Sequence, residues 1–334
     1  MMDPKKALAE SEKITDEAWK EIYRAYENAR MQLQNEIDAL VARFGVDNQL
    51  SNEEVNQILH GKEYTKWRMS LREYLNQIRD APEDSSLLLE LNALSAKSRI
   101  SLKEQLLADI DRAMTDIALE QCDITKKAIS KVYETTYYRT AYDVQRGTGF
   151  AFNLAKLDHG AIEKVITYPW STKVFSRAIW DNLDKMTATL KKTLAEGFAK
   201  GAGVQRMAKV LNDEFKSGRY AAERVIRTES KHFHMQSQLD SFRELGYEEY
   251  IFHMNGTCSR TRKGVKICDC ETAVKGSPYR IEDAEPGINL PPIHPNCKCY
   301  ITAKRKINMF EKREGITPLH ENVKFQQWKN TYVK

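Results

Sequence analysis

The chain has 334 residues, 30% of them charged, and a formal net charge of +5. That length allows two or three domains and a sizeable core, while the high charged fraction predicts extended helical parts beside one compact domain. No run of about 18 apolar residues occurs, which excludes an apolar membrane-spanning helix, and the opening "MMDPKKALAESEKITDEAWK" has no stretch resembling a signal peptide, so a cytoplasmic product is expected.

Charge is unevenly distributed. Residues 1 to 140 hold 20 Lys+Arg against 25 Asp+Glu, and the remainder holds 32 against 22, so the basic character lies wholly in the second part. An acidic partner such as nucleic acid would be met there, although a lysine-rich surface also serves solubility alone.

Before residue 145 the only glycines and prolines are Gly45, Gly61, Pro4 and Pro82, which predicts a nearly all-helical first part. Trp19, Ile22, Tyr23, Tyr26, Leu33, Ile37, Leu40, Val41 and Phe44 recur at helical spacing up to Gly45, read as a C-terminal cap. A second helix is expected from Ser51, with Glu54 completing a capping box, to Arg79, where "RDAPEDSS" breaks it. A long tract follows from Leu87 to Gln145, interrupted near Ser98 to Ser101. No fixed-period repeat supports a solenoid.

"RGTGFAFNLAKLDHG", residues 146 to 160, changes composition and marks the boundary between a helical region, 1–145, and a compact domain, 146–303, with a basic tail, 304–334. Met186, Leu190, Leu194 and Phe198 mark a helix that ends in "GAG". A short helix through Val204, Met207, Leu211 and Phe215 and a separate longer one from Tyr220 to Leu245 are expected, and "YIFHM", residues 250 to 254, reads as a strand. The fold class is therefore mainly α: a long helical N-terminal arm and a compact C-terminal α+β domain with a Cys/His-rich, zinc-stabilised loop.

Cys258, Cys268, Cys270, Cys297 and Cys299 fall within 42 residues, whereas Cys122 stands alone in a helix and reads as a small buried hydrophobe. In a cytoplasmic chain such a cluster indicates metal before disulfides. Structural zinc takes four Cys or His ligands, commonly from two short groups brought together by a loop. The preferred set is Cys268, Cys270, Cys297 and Cys299, with Cys258 and His294 as alternates, and Pro291, Pro292 and Pro295 stiffen the second group.

In "AAERVIRTESKHFH", Glu229 sits on the stripe of Val225, Ile226 and Phe233, so it is expected to be at least partly buried and to need a partner, either an arginine from another element, the hydroxyl and amide donors of the cysteine loop, or the metal itself, as a structural carboxylate more than a catalytic one. His232 and His234 are two apart, cannot share a helix face and are expected to be solvated. Gly201 and Gly203 do not open a dinucleotide loop, because Arg206 and a preceding helix break the pattern. Arg260, Arg262, Lys263, Lys266, Lys304, Arg305 and Lys306 flank the cysteines and are candidate DNA contacts, or simply solvent-facing cations.

"YPWSTKVFSRAIWDNL", "RVIRTESKHFH", "GYEEYIFHMNGTC" and the closing "CETAVKGSPYRIEDAEPGINLPPIHPNCKC" together resemble the Mu F-like head morphogenesis, or minor capsid, proteins of tailed phages, over residues 145 to 303. The resemblance implies a minor structural protein in the phage head, present in the host cytoplasm during assembly. Its implied partners are the portal, scaffold or major capsid protein and double-stranded DNA, with roles in procapsid assembly and DNA packaging or delivery. It also implies that Arg227, Thr228 and Glu229 form the family's Arg-Thr-Glu motif. The family's Thr-Cys-x-x-Cys is interrupted here by "SRTRKGVKICD", which leaves open whether Cys258, Cys268 or Cys270 takes the family's positions. A nucleotide-transferring enzyme is the alternative, but no activated nucleophile, His/carboxylate pair or phosphate loop supports it. A free zinc-dependent DNA-binding protein is a third reading.

Overall fold

The structure, a computed structural model, describes residues 4–47, 100–170, 174–199, 204–255, 261–262, 265–266, 269–294, 297–304 and 315–334. The expected helix Ser51 to Arg79, the "RDAPEDSS" break and the "GAG" stop lie outside these residues, as does the part of the Ser98 to Ser101 interruption before Ile100; Ile100 and Ser101 are helical.

Most described residues are helical: α1 Pro4–Asp47, α2 Ile100–Thr148, α3 His159–Thr167, α4 Phe175–Ala199, α5 Val204–Glu244, α6 Asp269–Gly276 and α7 Phe325–Tyr332. The chain divides into two compact units. One comprises Ile22–Gln121 and Ile179–Ala221; the other comprises Met1–Glu21, Cys122–Ala178 and Ala222–Lys334.

The first unit is built on helical periodicity. Ile22, Tyr26, Leu33 and Ile37 of α1, Leu106, Ile110 and Met114 of α2, Met186, Leu190 and Leu194 of α4, and Met207, Leu211 and Phe215 of α5 are all buried. Steps of four and seven place each set on one helical stripe, and each large apolar side chain removed from water contributes about 1.5–3 kcal/mol. Tyr26 links three helices: its ring meets Phe215 edge-on at 6.3 Å and its hydroxyl donates to Gln121 Oε1 at 2.9 Å.

Two expectations are corrected here. Helix α1 continues through Gly45 to Asp47, so Gly45 is not its cap. The two helices expected between Val204 and Leu245 are one helix of 41 residues. Gly218 looks like a break but serves close approach: a Cβ there would lie 2.6 Å from Met186 Sδ and 3.1 Å from the Tyr26 ring. Gly218→Leu is therefore expected to lower stability by about 1–3 kcal/mol through overpacking. Urea unfolding checks this, and a midpoint equal to wild type would show that the space exists.

The second unit adds strands to helices. β1 (Phe150–Ala151), β2 (Glu249–His253), β3 (Thr261–Arg262), β4 (Val265–Lys266), β5 (Tyr279–Arg280), β6 (Tyr300–Ala303) and β7 (Thr317–Pro318) are short. β2 is the centre of a three-stranded antiparallel sheet, order β5-β2-β6, with Phe252 opposite Ile301. It matches the strand expected at "YIFHM". Its buried residues alternate, Tyr250 and Phe252 inward, as a strand with one covered face requires.

Tyr250 packs with Met235, Leu239 and Phe242 of α5 and with Ile281, Leu290 and Ile301. Phe252 packs instead with Cys270, Ala273, Cys297 and Cys299. The end of the chain closes a third cluster: β7 pairs with β1, and Trp328 of α7 is buried against Tyr142 and the end of α2. Leu154 and Lys334 exchange backbone hydrogen bonds with this segment, Leu154 donating to Tyr332 O at 2.7 Å and Lys334 donating to Leu154 O at 3.0 Å.

Candidate metal centre and the adjoining cavity

Cys270 enters from the first turn of α6, while Cys297 and Cys299 come from the segment leading into β6. The β2–β6 pairing carries Phe252 beneath both, so the two parts of the sequence meet over one aromatic ring. All three cysteines are buried and their sulfur atoms lie within 4.8 Å of one another. Sulfurs around a zinc ion sit about 3.8 Å apart, as the ~2.3 Å zinc–sulfur bond and a tetrahedron require. Three soft donors converging in an apolar surround therefore fit one face of a zinc site. The hydrogen bond from Cys299 holds the Cys297 thiol below its usual range, while Cys299 keeps its own proton more tightly.

Among the described residues no other Cys, His, Asp or Glu joins this group, His294 included. Cys268 and Cys258 lie outside the described residues, as do Arg260, Lys263, Arg305 and Lys306. Arg262 and Lys266 fall on the β3–β4 hairpin, at the two ends of its register. Lys304 follows β6 and donates to Glu249 Oε2 at 2.7 Å, so this cation is already paired.

The Arg227–Thr228–Glu229 run on α5 sends its members apart. Arg227 bridges Glu223 at 2.8 Å and Asp16 at 2.9 Å. Glu229 is buried, as its place on the apolar stripe predicts, and its partner is Trp170, whose Nε1 donates to Oε2 at 2.9 Å. Burial pushes the Glu229 carboxyl up to about 7, against a smaller opposing effect of the Trp170 hydrogen bond.

The expectation that His232 and His234 are solvated is overturned: they are 3% and 1% exposed. They do point to different faces, but both faces of this part of α5 are covered. His232 stacks on Trp170 at 4.2 Å, and burial lowers its pKa to about 3, so it is neutral. His234 Nδ1 meets Ser11 Oγ at 2.7 Å and Thr136 Oγ1 at 2.9 Å. Burial pulls His234 well below the usual histidine range as well.

Because the folded-state pKa of Glu229 is raised above its ordinary 4.5, the folded chain holds this proton more tightly than the unfolded chain. The stabilisation is complete below the unfolded value and declines as pH rises, gone above about 7. Glu229→Gln keeps an acceptor for Trp170 without the ionisation. Its stability relative to wild type is expected to rise by up to about 3 kcal/mol between pH 4 and pH 8, the equivalent of the shift. Urea titrations of both proteins at the two pH values measure this, and parallel pH dependences would contradict it.

Beside the sulfur cluster lies a cavity of about 430 Å³, lined among others by Ser11 and Thr15 of α1, Arg227, Lys231 and His234 of α5, and Cys297. Sequence reading missed Ser11, Ser230, Lys231 and His234 as site residues. The available signal was spacing, since Arg227, Ser230, Lys231 and His234 recur at three, four and seven along one helix face.

The family model described as Phage Mu protein F like protein matches residues 188–302, about a third of the chain. Comparison with curated proteins and with solved structures returns no significant match. The matched stretch runs from α4 to β6 and contains Arg227 to Glu229, the cavity face of α5 and all three clustered cysteines, and it identifies this region as Mu F-like, of the phage head morphogenesis family.

Proposed function

We propose that the protein is a minor structural component of a tailed-phage head, assembled with the portal, scaffold or major capsid protein, and that zinc held by Cys270, Cys297, Cys299 and a fourth ligand closes its Mu F-like region. The family match carries this reading, because it covers the segment in which the cysteines converge. The long helices α1, α2 and α5 suit docking in an assembly. No helix among the described residues is long and apolar enough to cross a membrane, which agrees with a place inside a capsid.

The role is non-catalytic in this reading. Glu229 and His232 are turned toward Trp170, and Arg227 is committed to two carboxylates, so the Arg-Thr-Glu run serves packing and ion pairing. Arg260, Arg262, Lys263, Lys266, Lys304, Arg305 and Lys306 are the proposed contacts to double-stranded DNA; binding by the full chain should weaken steeply with salt.

Quantitative mass spectrometry of purified particles before and after induced DNA release tests the proposal. A few copies per head are expected, and loss on release would add delivery with the genome. Absence from procapsids and mature particles alike would reject the virion role and favour a free DNA-binding protein or an enzyme.

A further inference from the structure

Two buried polar atoms of residues lining the cavity beside the cysteines have no partner among the described residues. Ser230 and His234 line it and are 3% and 1% exposed, yet Ser230 Oγ and His234 Nε2 have no hydrogen-bond partner among the described residues. Leaving such groups unpaired costs about 1–3 kcal/mol each, and a fold retains that cost most readily where a ligand removes it. Thr136 and Ser11 hydroxyls surround Nδ1 of His234. With a hydroxyl proton donated to Nδ1, Nε2 carries the ring proton and is a donor in search of an acceptor.

The charges point the same way. Of the cations lining the cavity, Arg227 is matched by Glu223 and Asp16, whereas Lys231 and Lys298 form no ion pair among the described residues. Among the described residues Glu12 is the only carboxylate lining it. Counting Cys297, whose thiol is held below its usual range, three cations line the cavity against two acidic groups, and the unpaired neutral groups include hydrogen-bond donors. A volume of about 430 Å³ lies in the range of small-molecule sites, larger than a bare anion needs.

We propose that this cavity binds a small phosphate-bearing molecule, its phosphoryl oxygens held by Lys231, Lys298, Ser230 and His234. A phosphoryl group supplies three strong acceptor oxygens and a charge near −2, which answers the unpaired donors and both free lysines together. The site does not rest on the head-protein reading, but it shares Cys297 with the candidate metal centre, and Lys231 feels the charge at Cys297 and Cys299.

Isothermal titration calorimetry of the full chain, in a phosphate-free buffer at fixed ionic strength, tests it with inorganic phosphate and with adenosine 5′-monophosphate. Saturable one-to-one binding is expected, tighter for the monophosphate by tenfold or more because it also fills the remaining volume. Equal affinity for both would assign the site to free phosphate. Lys231→Met is expected to weaken binding at least tenfold. Should that variant fold poorly by circular dichroism, Lys298→Ala at an exposed position is expected to weaken it severalfold. Absence of saturable binding by wild type at millimolar concentrations, or unchanged affinity in the folded variants, overturns the proposal.

Discussion

Replacing Cys297 and Cys299 together by serine is expected to remove one equivalent of zinc and lower the melting temperature by ~10 °C or more. Serine is close to cysteine in size, so loss of packing around Phe252, Cys270 and Ala273 is a minor part of the effect. Structural zinc contributes on the order of 10 kcal/mol to a small fold, comparable with the whole stability of many domains. The segment from α6 to β6 has few buried apolar residues of its own beyond this cluster and Ile281, Leu290 and Ile301, so a bound metal would add a strong tie between its two ends. Elemental analysis and thermal melts of both proteins measure the two effects independently. An unchanged melting curve with no metal in either protein would reject a zinc site, and a modest drop without metal would assign the cysteines to packing alone.

What was legible in the sequence followed the strength of each periodic signal. Met186, Leu190 and Leu194 are apolar at steps of four and are buried as that spacing predicts. The strand at Glu249–His253 was visible because Tyr250, Ile251 and Phe252 put aromatic and β-branched types side by side there. The pairing of Cys270 with Cys297 and Cys299 was legible as two Cys-x-Cys groups, but their convergence depends on β2 lying between β5 and β6, a non-local pairing that composition does not encode.

The later part of α5 was misread for a physical reason. Ser237 and Ser241 are buried, but their hydroxyls donate to the backbone carbonyls of Tyr133 and Tyr137 at 2.5 and 3.0 Å. Small polar side chains that satisfy themselves on a neighbouring helix permit close packing while lowering the apparent hydrophobicity of the stretch. The assumption that one face must be wet then led His232 and His234 to be placed in solvent. Gly218 lies in the gap between the two helices expected there, and a glycine that serves close approach has the same letter as one that serves a turn.

The last segment of the chain carried no signal for its role, and here the largest single-residue effect outside the cysteines is expected. Trp328 is fully buried, its ring 5.6 Å from that of Tyr142 and 6.0 Å from that of Phe325. Its Nε1 donates to Gln145 Oε1 at 2.7 Å, and Gln145 Nε2 donates onward to Phe152 O at 3.1 Å. This chain ties α7 to the end of α2 and to the segment after β1. Trp328→Ala should cost about 3–5 kcal/mol from the lost ring alone. It also leaves a buried glutamine oxygen without its donor, which adds about 1–3 kcal/mol. Trp328→Phe separates the two contributions, because it keeps most of the ring contact but not the donor. The expected order in urea unfolding is wild type, then Phe, then Ala, with an unchanged denaturant slope. A midpoint for the alanine variant within about 0.5 kcal/mol of wild type, the range of ordinary surface substitutions, would show that α7 does not close this core.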